Sequence, residues 1–104
     1  MIFRRTRFAD AISRQLELFV EEHEELMREC DAALARYNAA ARDDAEEVYG
    51  DYLDLVETGT EILADMRDRF AQTLDEASAE RYEHAFNRAV AKRLPRFALE
   101  IENR

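Results

Sequence analysis

Apolar and polar positions alternate with a helical period along almost the whole chain. Phe8, Ile12, Leu16, Phe19, His23, Leu26, Cys30, Ala33 and Tyr37 follow one another at spacings of four and three. On a helix advancing 100° per residue they fall in one narrow sector. The spacing predicts a first helix over about residues 7–41, roughly 50 Å long at 1.5 Å per residue. In "NAAARDDAEE", Asp43 with Glu46 and Asp44 with Glu47 have the separation at which an Asp oxygen accepts a first-turn N–H while the Glu reaches back. A second helix is expected from there, over about 44–74. Its stripe is Ala45, Val48, Tyr52, Val56, Gly59, Leu63, Met66 and Phe70, and Tyr49, Leu53 and Leu55 widen it enough to touch two neighbours. Within "ETGTE", Thr58 and Glu61 repeat the capping spacing and offer a break at Gly59. The stripe keeps its register across the glycine, which favours continuity, with the missing Cβ allowing close approach of another backbone. A third helix is expected over about 78–94, capped by Ser78, with the stripe Tyr82, Phe86, Ala89, Val90, Arg93 and Phe97. Pro95 has no N–H to give an interior helical bond, so that helix should end near Leu94, leaving "RFALEIENR" as a short docked tail.

The expected fold is all-α: an antiparallel three-helix bundle forming one domain over residues 1–104. Two glycines and one proline in 104 residues suit long helices and leave no place for strands. A chain of this size buries only about two thirds of its unfolded surface. Its core should be thin, and association would relieve that. No apolar run approaches the roughly 18 residues of a membrane span, and no apolar stretch follows the arginines of "MIFRRTRF" as it would in a secretory leader. One cysteine forms no internal disulfide, which fits a reducing compartment; the cytoplasm is the expected location.

The net charge of −9 is unevenly spread. Residues 1–16 carry four basic side chains and one acidic, residues 17–80 five basic and twenty acidic, and residues 81–104 six basic and three acidic. Fourteen Arg against one Lys has the look of a GC-rich coding bias. Arg81, Arg88, Lys92 and Arg96 project from one side of the third helix and could meet an acidic helix of a second copy or a partner. The same face could grip phosphates, but it is short, lacks interleaved aromatics and belongs to a negatively charged chain, so nucleic acid is not an expected partner. Asp51, Asp54, Thr58, Glu61, Asp65 and Asp68 form the opposite kind of stripe, without the bent glycine loop of a calcium site.

"LFVEEHEELMREC" raises the question of a metal. His23 and Cys30 lie about 10 Å apart along a straight helix, too far to share an ion whose ligands sit at about 2.0–2.3 Å. Carboxylate-bridged iron bundles use Glu-x-x-His, whereas Val20 precedes His23 by three and Arg81 precedes His84 by three. His23 and Glu22, contributed by two copies, are the remaining metal candidates. The preferred reading of His23 is a polar residue in the stripe, hydrogen-bonded to a neighbouring helix and fixing register. Cys30 reads as a small buried hydrophobe with no basic group sharing its turn on that face. No catalytic residue and no cofactor are expected. The interaction surface is expected along Phe8, Ile12, Leu16, Phe19, His23, Leu26, Tyr52, Val56, Gly59, Leu63, Met66, Phe70, Tyr82, Phe86 and Phe97. The expected function is a non-enzymatic helical assembly module, a homodimer or the binder of a helical protein. The alternative is a metal- or ligand-binding bundle using His23 and nearby carboxylates.

Overall fold

The stripe through the first forty residues folds as two helices, not one. In the computed structural model, which describes residues 8–104, α1 spans Ala9–Glu22 and α2 spans Glu24–Ala39. His23 lies between them at φ −126°, ψ 37°. Its N–H donates to the Phe19 carbonyl at 3.0 Å and its own carbonyl accepts from Met27 N–H at 3.1 Å, so it closes one segment and opens the next. No proline or glycine is at hand to cause the break. The tertiary arrangement gives the reason: α1 packs against α4 (Glu76–Arg93), whereas α2 packs against α3 (Arg42–Ala71), and one straight rod does not serve both. Glu24 and Glu25 then fall in the first turn of α2, where the helix dipole favours negative charge.

The described residues are all-helical, with five α-helices in place of the expected three. The second expected helix is a single element, α3, of 30 residues, continuous through Gly59. Its N-cap is Ala41 with no side-chain hydrogen bond, so the expected Asp43 and Asp44 boxes do not form; both residues sit in the first turn and act through the dipole. At the start of α4 the expected cap is displaced by one turn. Asp75 is the N-cap, accepting from Ser78 N–H at 2.9 Å and from Ser78 Oγ at 3.0 Å. These bonds hold the Asp75 carboxyl below the usual range. α4 ends at Arg93, and Pro95 opens a 3₁₀ turn, Pro95–Phe97, followed by α5, Ala98–Glu102. Phe97 therefore lies in the turn beyond the proline and not on the third helix. Arg7, the first residue of the expected first helix, lies outside the described residues.

One core joins these elements. Ile12, Leu16 and Phe19 of α1, Val56, Leu63, Ala64 and Ala71 of α3, Tyr82, Phe86 and Val90 of α4, and Phe97 and Ile101 of the tail are buried in it. Fully burying a side chain of this size contributes about 1.5–3 kcal/mol, so Phe97 and Ile101 make the tail a structural element in its own right. Phe97 is its anchor. The ring meets Phe19 edge-on at 5.8 Å, and a Cβ placed on Gly59 would lie 2.5 and 2.8 Å from two of its carbons and 3.4 Å from Leu26. Gly59 is thus required by an aromatic ring from the tail, not by a second backbone. Arg67, 4% exposed, pins the tail lower down. Its Nη1 donates to Asn87 Oδ1 at 3.0 Å and to the Ile101 carbonyl at 3.2 Å, and its Nε pairs with Asp68 at 2.9 Å. Arg104 adds looser ion pairs to Glu57 and Glu61, at 3.6 and 3.8 Å.

Candidate interaction surface

α3 and α4 differ in length, and the surface follows from that difference. Thirty residues make α3 about 45 Å long and eighteen make α4 about 27 Å. Along α3, Tyr49, Leu53, Val56, Thr60, Leu63 and Arg67 step by four and three and share one stripe. From Val56 downward that stripe is covered: Val56, Thr60, Leu63 and Arg67 are all buried, and Arg67 reaches both α4 and α5. The Thr60 hydroxyl has its bond inside the helix, to the Val56 carbonyl at 2.8 Å. Above Val56 the cover ends. Leu94, the last residue before the proline, lines a groove of about 350 Å³ with Met27, Leu34 and Tyr52, and beyond that level α2 and α3 continue as a two-helix arm.

No residue of the arm from Leu34 to Leu55 is buried. The rings of Tyr37 and Tyr49 pack tilted by 49° at 4.8 Å between centroids, Tyr49 reaches Tyr52 at 6.0 Å, and Leu53 lies one turn below Tyr49. Tyr49 is 40% and Leu53 44% exposed, large values for apolar side chains that continue a buried stripe. The same stretch carries Arg36 and Arg42 against Asp43, Asp44, Glu46, Glu47, Asp51 and Asp54, of which Asp44, Glu47 and Asp51 fall on the side of α3 away from Tyr49. None of these charged side chains is in an ion pair among the described residues.

Below the arm, the tail places a charged cluster where the sequence suggests only apolar packing. Arg96 does not belong to the outward basic face. Its Nη2 donates to Asp31 Oδ1 at 2.7 Å and its guanidinium lies 5.9 Å from the centre of the Tyr52 ring. Its Nη1 is buried without a hydrogen-bond partner among the described residues. Burial works to lower the Arg96 pKa, and the Asp31 hydrogen bond leads the effects that outweigh it, so the side chain is held charged. Cys30 is fully buried beside it, so the thiol does have a basic neighbour. Burial still dominates and pushes the thiol up, with Arg96 opposing. This is an inert sulfur, not an activated one.

Of the other residues singled out from the sequence, Arg81, Arg88, Lys92 and His84 are exposed on α4. Phe8, Leu26, Met66 and Phe70 are half-buried around the core. Phe8 meets Tyr82 edge-on at 5.6 Å. His23 is half-buried at the break. Its ring packs 5.2 Å from that of Phe19 and makes no hydrogen bond to a described residue, so the expected bond to a neighbouring helix is not formed. His23 and Glu22 share an open groove of about 480 Å³ with Asp65, Met66 and Phe70. Among the described residues no three His, Cys, Asp or Glu side chains come together as metal ligands. No described helix is long and apolar enough to cross a membrane. Pattern reading alone passes over Arg67, Asn87 and Arg104. The signal for Arg67 is its place on the same stripe as Val56, Thr60 and Leu63, where a charged side chain needs buried partners. No family model, curated protein or solved structure matches the chain.

Proposed function

We propose that this chain is a non-enzymatic helical assembly module, and that the α2–α3 arm is its binding surface. The observation that carries the reading is the arm without a core: its apolar stripe continues one that is buried below, yet no described residue covers it. Helices draw most of their stability in water from tertiary packing of an apolar face, so a pair that buries no residue gains by recruiting another surface. Tyr is also the kind of side chain that binding surfaces favour, presenting an apolar body and a polar tip at low entropic cost. We place the protein in the cytoplasm on the strength of its single, buried cysteine.

Size-exclusion chromatography with light scattering tests the reading. The expected mass at micromolar concentration is that of a dimer, and Leu53→Lys should lower it without loss of helical circular dichroism. A wild type that stays monomeric at every salt concentration overturns self-association. A dimer that ignores Leu53→Lys removes the arm from the interface.

A further inference from the structure

We infer that the arm pairs with the arm of a second copy, antiparallel about a two-fold axis beside Tyr49, so that each α3 starts where the other copy's α4 stops. This rests on the reading of the arm as a binding surface and adds what covers it. Position around the helix decides which charges face the partner. At about 100° per residue, Arg42, Glu46 and Leu53 fall within about 60° of Tyr49, whereas Asp43, Asp44, Glu47, Asp51 and Asp54 lie more than about 110° away. The strip offered to a partner therefore carries one cation and one anion beside its apolar residues. Two such strips meet without setting one group of carboxylates against another.

Length selects a second copy as the occupant. α3 begins at Arg42, and its stripe is buried from Val56 onward. Tyr49 stands seven residues from each, about 10 Å along the axis. A two-fold axis at Tyr49 exchanges those two levels. Arg42 of one copy comes to Val56 of the other, and the bare length of each α3 lies on that of its twin. The contact is self-complementary and closed, so it gives a dimer and not a filament.

Direction and charge agree with that placement. α4 runs antiparallel to α3: Phe70 meets Tyr82, Arg67 bonds Asn87, and Tyr52 shares a groove with Leu94. A two-fold copy of α3 also runs antiparallel to α3, hence in the same direction as α4 and in line with it. The C-terminal end of α4 then faces the N-terminal end of the incoming α3, opposite ends of two helix dipoles. Asp43 and Asp44 turn aside from the strip, but they occupy the first turn of α3, which meets α4 end on; the last turn of α4 carries Lys92 and Arg93. On the arm side, the groove at the end of α4 is lined by Arg93 and Arg96 with Asp31 as its one acid. Asp31 is paired with Arg96, and Arg93 donates to the uncharged Ser13. Glu17 and Glu21 lie on the other side of Arg93, in the groove between α1 and α4. Arg42 of the incoming helix comes beside Glu57, which Arg104 holds loosely at 3.6 Å.

Cysteine cross-linking and a charge swap test the arrangement. Cys30 is fully buried, so a thiol introduced on the surface of α3 is the one free to react. Tyr49→Cys should give a disulfide-linked dimer under mild oxidation, because the axis sets position 49 beside its own copy. Asp51→Cys, on the opposite side of α3, should stay unlinked. Asp43→Lys with Asp44→Lys, and separately Lys92→Glu with Arg93→Glu, should each weaken the dimer about tenfold in sedimentation, the scale expected for reversing two exposed pairs. The two sets combined should recover most of the affinity, and circular dichroism checks that each variant keeps its fold. Cross-linking at 51 as readily as at 49, cross-linking at neither, or swaps that do not compensate overturns the arm-to-arm pairing. If that dimer still falls apart with Leu53→Lys, the proposed function stands and something other than a second arm covers the strip. A monomeric wild type overturns this pairing and self-association together.

Discussion

Gly50 and Gly59 both lie inside α3, and the space around them separates their roles. A Cβ at Gly50 meets nothing within 4 Å, whereas one at Gly59 runs into a fully buried ring. Alanine is favoured over glycine inside a helix by roughly 1 kcal/mol. Gly50→Ala should therefore stabilise the protein by about 0.5–1 kcal/mol. In Gly59→Ala the same gain opposes overpacking of about 1–3 kcal/mol, because the ring that the methyl strikes is fully buried. The balance should be a loss of about 1–2 kcal/mol. Denaturant curves on both variants check the pair, and equal signs would break the argument. Tyr82 offers a second handle at this scale. Its ring is buried against Phe8, Phe70 and Phe86, and its hydroxyl donates to Gln15 Oε1 at 2.8 Å. Burial pushes the phenol up to about 12. An acid whose pKa is higher folded than unfolded supports the fold only while it stays protonated in both states. Its contribution is complete below the unfolded value of about 10 and is lost as pH rises toward 12. Between those values the melting temperature should fall with pH, and Tyr82→Phe should flatten that part of the profile.

At the scale of elements, the break at His23 shows what a repeating pattern hides. Phe19, His23, Leu26 and Cys30 keep their four–three spacing across it, so the period passes unchanged through an interruption one residue long. The cause is tertiary, since α1 and α2 serve different partners, and nothing in "EEHEE" announces it except the acidic start of α2. The cap of α4 misleads for a local reason: Asp75 and Ser78 bond to each other, and only the geometry tells donor from acceptor. Pro95, by contrast, acts through its own missing N–H, and the end of α4 is legible from that residue alone. The imidazole of His23 has no hydrogen bond to lose among the described residues. His23→Leu should therefore keep or raise the melting temperature, with no response to chelator in either form. A wild type that melts lower in chelator, beside a mutant that does not, would make His23 a metal ligand.

Over the whole molecule, 52 Å long and 22–23 Å across, stability is unevenly placed. The arm has no buried residue, and the body holds every large fully buried side chain of the core. Amides of α3 above Val56 should exchange with solvent faster than those below it, because local opening there exposes little apolar surface. If the arm is covered by another surface, raising the protein concentration should slow exchange in the upper half of α3 and leave the lower half unchanged. Hydrogen exchange read by mass spectrometry at two concentrations checks this. The arm was half legible: Tyr49 and Leu53 widen the stripe of the second helix, and the third helix stops well short of its neighbour. What the sequence withholds is the register between α3 and α4. That register decides which end of the longer helix is left bare, and it depends on Phe97 and Arg67 finding partners far away in the chain.

The fit of Phe97 against Gly59 also has a consequence for inheritance. Neither position can change alone without loss: a larger residue at 59 strikes the ring, and a smaller one at 97 leaves a void lined by Phe19 and Leu26. Changed together, as Gly59→Ala with Phe97→Leu, the added methyl occupies space the ring gives up. The double variant should be more stable than the sum of the two single losses implies, with a coupling within about 0.5–3 kcal/mol. Descendants of this chain would then drift through position 59 only in step with position 97, and the two positions should vary as one small-with-large pair across 37 intervening residues.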